Sequence, residues 1–123
     1  MANAEYEVAV VVRKNGKPVE GLDPYYARFT VQEEAGLGHK EATGGGYLTL
    51  PIDKISTVEF AAIRPTGELS LRFQAQTDGG LVVEANGLFL LVKGRVNSAP
   101  TTNIKASNAS GADVKIDGVV GGP

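Results

Sequence analysis

At 123 residues and 12.8 kDa the chain has the size of one domain, enough to bury roughly two thirds of the surface its unfolded form exposes. Its 14 acidic and 12 basic residues are scattered, with a formal net charge of -2 and a pI near 5.4, so no basic footprint for a phosphate backbone is present and a nucleic-acid partner is not expected. The absence of Cys removes thiol nucleophiles, thiolate metal sites and disulfides together; no apolar run approaches the ~18 residues a membrane helix needs, and Met1 to Glu5 lacks the basic and apolar regions of a secretory signal, so the expectation is no membrane partner and a chain made and kept inside the cell unless it leaves within a larger assembly.

The elements read as short strands. Tyr6, Val8, Val10 and Val12 alternate with Glu7, Ala9, Val11 and Arg13, which predicts a first strand covered on both faces near Val10 to Val12. Asn15-Gly16 suits a tight hairpin turn, although Pro18 cannot donate to a ladder and predicts an irregular crossing from Lys17 to Pro24. Tyr25 to Gln32 alternates again, with Tyr25, Ala27, Phe29 and Val31 on one face and Tyr26, Arg28, Thr30 and Gln32 on the other. Glu33 to Gly46 holds five Gly among charged residues without apolar periodicity, and predicts a long exposed loop.

Tyr47 to Ile52 predicts a short strand with Leu48, Leu50 and Ile52 inward, and Pro51 beside its end marks an edge or a strand terminus. Val58 to Ile63 and Leu69 to Ala75 predict a pair joined by a turn at Arg64-Pro65-Thr66-Gly67, with Val58, Phe60 and Ala62, then Leu69, Leu71, Phe73 and Ala75, facing inward. Leu81 to Glu84 follows, then a turn at Asn86-Gly87 and the apolar run Leu88 to Val92, which predicts a buried strand. Thr101 to Ala106 predicts a polar strand with Ile104 inward. Ala112, Val114 and Ile116 predict the last strand, ended by Gly118 and the Gly-rich tail. About eight short strands with turns between them, and no helix or repeat, predict an all-β fold: a single antiparallel β-sandwich or jelly-roll-like domain over residues 1–123, with 1–5 a short arm and 33–46 the long loop.

No catalytic constellation is legible in this ladder. His39 is the one histidine, and a relay or a His-pair metal site would have to be built around it; beside Lys40 and Glu41 in the Gly-rich segment it reads as a solvated loop residue. Gly36-Leu37-Gly38-His39-Lys40 lacks the spacing, the following Ser or Thr and the helix of a phosphate loop. The carboxylates Asp23, Glu33, Glu34, Asp53, Glu59, Glu68 and Asp78 hold no distinctive spacing for glycoside chemistry, and Asp78, Asp113 and Asp117 are too few oxygens for calcium. Asn108-Ala109-Ser110 reads as a turn. The expectation is therefore no enzyme, no cofactor and no metal. Tyr25 and Tyr26 point to opposite faces of a strand, one toward the core and the other exposed or at a subunit contact, where Tyr is enriched.

From Tyr47 to Gly122 the order of elements is more specific: Leu48-Thr49-Leu50, then Val58-Glu59-Phe60-Ala61-Ala62-Ile63, Leu69-Ser70-Leu71-Arg72-Phe73, Gly79-Gly80-Leu81, Gly87-Leu88-Phe89-Leu90-Leu91, and Ile104-Lys105-Ala106-Ser107 before an Asn108-Ala109-Ser110 turn, a closing Val114-Lys115-Ile116 and a Gly pair. This order resembles the C-terminal part of small virion structural proteins of tailed bacteriophages. The resemblance implies a small β-sandwich subunit of the capsid surface, a cement or decoration protein whose partners are the major capsid protein and copies of itself, as a homo-oligomer that in trimeric form would suit local threefold sites. It carries over no chemical group. Met1 to Gly46 lies outside the resemblance, and contacts are expected there: Ala2, Asn3, Ala4 and Tyr6 in the arm, Gly38, His39 and Lys40 in the loop, and Tyr26 as an anchor. The other reading of the same residues is a carbohydrate- or receptor-binding module of a phage tail or fibre, using the His39 loop and the exposed Tyr.

Overall fold

The computed structural model describes residues 4–22, 24–37, 40–42, 48–50, 55, 57–73, 80–95, 104–108 and 113–123, with backbone alone at 40–42, 48 and 49. These residues are all-β, without a helix. An N-terminal ribbon is made by β1 (Ala4–Val10), β2 (Arg13–Lys14), β3 (Lys17–Pro18) and β4 (Tyr25–Val31). The body comprises β5 (Glu33–Gly36), β6 (Lys40–Ala42), β7 (Leu48–Thr49), β8 (Phe60–Pro65), β9 (Leu69–Phe73), β10 (Leu81–Val83), β11 (Phe89–Val92), β12 (Ile104–Ser107) and β13 (Val114–Gly122). Among the described residues there are thirteen strands against the expected eight or so, because several are pieces of two to four residues.

Two antiparallel sheets form the body. One runs β10-β9-β12-β7; the other runs β11-β8-β13-β5, with β6 also paired to β13. Their inner faces share one core: Leu69, Leu71, Val83, Ile104 and Ala106 from the first meet Ala35, Ala61, Ile63, Val114, Ile116 and Val120 from the second. Each fully buried aliphatic side chain contributes about 1.5–3 kcal/mol, and without disulfides this core carries the stability of the sandwich.

Several expectations are corrected by the pairing. Strands β8 and β9 are not a hairpin: they lie in different sheets, and the turn between them carries the chain across the sandwich. Val58 lies in the core as predicted, but the inward face of β8 itself is Ala61, Ile63 and Pro65, the parity opposite to Phe60 and Ala62, and Phe60 is buried on the outer side. An apolar run covered on both faces has no period from which to read its inner side. The segment expected as one loop from Glu33 to Gly46 contains β5 and β6, both paired to β13. Nor does the last strand end at Gly118; β13 continues to Gly122 as an interior strand between β8 and β5.

Glycine is what lets it continue. Gly118 has φ +152, and a Cβ there would run into the carbonyl of Ala62 on β8. At Gly122 a Cβ would meet the carbonyl of Thr57. A residue with a side chain could not bring β13 so close to its neighbours.

The ribbon is a third layer. Strands β1 and β4 pair along their whole length, from Ala4 opposite Val31 to Val10 opposite Tyr25. The link between them folds back as the β2–β3 hairpin, whose turn is Asn15 (φ 53) and Gly16 (φ 81), as the Asn-Gly dipeptide predicts. Pro18 is accommodated because β3 is only two residues long and pairs on one side. Against the body, Tyr6 and Phe29 lie on the outward face of Phe60. Val31 fills the space that a side chain at Gly121 would take, and the Gln32 amide donates to the Gly122 carbonyl at 3.0 Å. Ala4 and Glu5 therefore belong to a paired strand, not to an arm; residues 1–3 lie outside the described residues.

Candidate interaction surface

One face of the ribbon, Tyr6, Val8, Phe29, Ala27 and Val31, is turned toward the body, and the cover stops partway along it. Ala27 is buried at 5 % exposure, whereas Tyr25, two residues along the same face, is 43 % exposed. Beyond this point the ribbon is open to solvent: Val11, Val12 and Leu22 are exposed at 44 %, 46 % and 54 %. The predicted cover over Val10 to Val12 is thus absent at Val11 and Val12. Tyr25, expected in the core, points the right way but lies past the edge of what could bury it.

The opposite face carries Tyr26, the most exposed aromatic described, at 58 %. It sits opposite Ala9, one step from the pair Glu7 and Arg28. The Arg28 guanidinium donates to the Glu7 carboxylate at 3.1 Å with both side chains more than half exposed, a contact worth no more than about 1 kcal/mol. The β2–β3 hairpin adds exposed Arg13, Lys14 and Lys17 beside the apolar residues. The distal ribbon therefore exposes apolar and aromatic side chains on both faces, beside a hairpin with three cations and with Glu20 exposed in the same link.

Of the other residues expected to make contacts, Tyr6 is half-buried. Its ring centroid lies 4.8 Å from that of Phe60 and 6.2 Å from that of Phe29, and its hydroxyl donates to the carboxylate of Glu34. Burial of the ring first, then the hydrogen bond to Glu34 and lastly the Glu34 charge, push its ionisation up to about 12. It is an internal staple between ribbon and body, not an anchor for a partner. Ala4 is half-buried opposite Val31. Lys40 is a β6 residue whose backbone pairs with Ile116. Ala2, Asn3, Gly38 and His39 lie outside the described residues. The ribbon thus places Tyr6 and Tyr26 on opposite faces and brings neither to a common site with the other.

Sequence reasoning missed the exposed Val11, Val12, Leu22 and Tyr25. It also missed a second apolar surface at Leu81, Val82 and Leu88, exposed at 40 %, 54 % and 59 %. An unbroken apolar run was the available signal at both places, and such a run is read as buried unless the neighbouring layer is known. Among the described residues no group of three or more His, Cys, Asp or Glu could hold a metal ion, and no helix is long and apolar enough to cross a membrane. A shallow groove beside Lys93 and Gly94 is bordered by Glu59 and Arg95, which pair with each other at 3.1 Å. Comparison of the chain with protein-family models, with curated proteins and with solved structures finds no match.

Proposed function

We propose that this chain is a non-enzymatic structural subunit of a tailed-bacteriophage virion, a capsid cement or decoration protein that stabilises contacts between major capsid subunits. The observation that carries the reading is the ribbon: its root is packed on the sandwich through Tyr6, Phe29 and Phe60 while its distal end presents Val11, Val12, Leu22, Tyr25 and Tyr26 to solvent. A two-stranded ribbon is marginally stable by itself in water, so a neighbouring surface over this end would supply the layer it lacks. Contacts of about 800 Å² per partner, repeated over a symmetric particle, would hold through multivalency. The order of elements from Tyr47 to Gly122 supports the virion assignment through its resemblance to phage structural proteins.

The test is made on particles of the phage that encodes the chain. Mass spectrometry of purified particles should find its peptides in fixed ratio to the major capsid protein. Particles stripped of it should rebind the wild-type chain and fail to rebind the Tyr26→Ala variant. Absence of the chain from purified particles overturns the reading.

The exposed ring of Tyr26 favours one other reading, a carbohydrate- or receptor-binding module of a phage tail or fibre. Glycan binding on an array that disappears in Tyr26→Ala would decide for it.

A further inference from the structure

The second apolar surface lies far along the chain from the ribbon, at one flank of the sandwich. Strand β10 is the last strand of one sheet and β11 the last strand of the other, and the short link from Glu84 to Leu88 connects them. Both sheets therefore end on the same side of the molecule. Strand β10 pairs with β9 and β11 pairs with β8; neither has a second partner among the described residues.

An edge strand leaves every other backbone N–H and C=O pointing outward, and folded proteins ordinarily guard such edges with Lys, Pro, bulges or inward charges. Leu81-Val82-Val83 and Phe89-Leu90-Leu91-Val92 contain no charged residue and no Pro. Val82 turns to the outer side of its sheet, opposite Ser70, and is 54 % exposed; Leu88 is 59 % exposed at the entry to β11.

We infer that this flank is a self-pairing edge: two copies of the chain join β10 to β10 antiparallel about a twofold axis at Val82, extending the four-stranded sheet across the dimer and bringing the two β11 edges alongside. Three features select a second copy over another partner. The occupant must present two sheet edges at the spacing of a packed sandwich, which is about 10 Å; a second copy does so by construction, whereas a single peptide strand fills one edge. The pairing is also self-complementary, as a twofold interface must be. With Val82 opposite Val82 of the partner subunit, Leu81 faces the partner's Val83, and Glu84 falls opposite the partner's Gly80, so no like charges oppose one another. Finally, the apolar Leu81 and Leu88 at the open margin lose their exposure. The result is a twofold pair instead of the trimer implied by the resemblance to virion proteins, and it does not depend on which larger particle the chain joins.

The native chain has no Cys, which permits a direct test of register. Directly opposed residues in an antiparallel pair have Cβ atoms about 4.5–5.5 Å apart. Val82→Cys should therefore form an intersubunit disulfide under mild oxidation, while Val83→Cys alone, which faces a different residue of the partner, should not. By light scattering after size exclusion the wild-type chain should have twice the monomer mass. Val82→Lys, which sets like charges opposite each other at the axis, should raise the dissociation constant at least about 100-fold with the circular dichroism unchanged. A wild-type chain that stays monomeric at the highest soluble concentration overturns the inference. So does a dimer that Val82→Lys leaves intact, or one in which Val83→Cys crosslinks and Val82→Cys does not.

Discussion

Phe29 of the ribbon meets Phe60 of the sandwich edge to face, with ring centroids 5.0 Å apart and planes at 65°. Since Phe60 sits on the outer face of its sheet, this contact belongs to the joint between layers and not to the sandwich core. Tyr6 completes the joint from the neighbouring strand. Phe60→Ala should therefore cost about 3–5 kcal/mol, read as a lower urea midpoint. Amide exchange should quicken in β1 and β4 more than in β9 and β12. Uniform acceleration across both sheets would show instead that Phe60 supports the body as a whole.

The parity of β8 can be tested at two adjacent alanines. Ala61 is fully buried between the sheets, and Ala62 is partly exposed on the outer face. An unpaired carboxylate in the core costs several kcal/mol, so Ala61→Asp should fail to fold. Ala62→Asp should yield folded protein with a lowered thermal midpoint. The reverse ranking would restore the inward assignment of Ala62.

Gly118 and Gly36 lie on adjacent strands and differ in what surrounds them. Gly118→Ala would place its methyl against the Ala62 carbonyl at φ +152, while Gly36→Ala meets nothing within 4 Å. The first should lose about 2 kcal/mol or more; the second should stay within about 0.5 kcal/mol of wild type. Equal losses in denaturant titrations would mean that β13 does not depend on the close approach at Gly118.

Tyr6 ionises at about 12 in the folded protein against a reference of 10.0, through burial of its ring and then through Glu34. Because the folded state holds this proton more tightly than the unfolded state does, its stabilising effect is complete below about pH 10 and is lost as pH rises toward 12. Absorbance titration at 295 nm should show a late tyrosine step near pH 12 in the wild type. Tyr6→Phe should remove that step and flatten the decline in stability between pH 10 and pH 12. Persistence of the late step in the variant would assign it to another tyrosine.

Tyr26→Ala should change stability by less than about 0.5 kcal/mol, because the ring is 58 % exposed on the outer face of the ribbon. A matching thermal midpoint would make any binding defect of this variant attributable to the surface and not to folding. A drop of several degrees would show that Tyr26 has a packing role.

Local sequence alone determined most of the longer strands and the turns at Asn15-Gly16 and Asn86-Gly87. Alternation in β1 and β4, the Asn15-Gly16 hairpin, and the buried Leu69, Leu71, Ile104, Val114 and Ile116 were all readable, because a period of two and the φ preference of a turn are properties of neighbouring residues. Tertiary structure decided which layer each face met. The sequence pattern points Phe60 and Ala62 inward, covers Val11 and Val12 and buries Leu88 to Val92, since an apolar residue looks the same in sequence whether it lies in the core, beneath the ribbon or on an open edge. The long run of β13 through Gly118 to Gly122 was likewise hidden, because glycine marks a turn in local sequence and a close approach of strands only when the neighbouring backbone is in place. The surfaces proposed for contact, the distal ribbon and the β10–β11 flank, are both places where apolar strands outrun their cover, and cover is decided by distant parts of the chain.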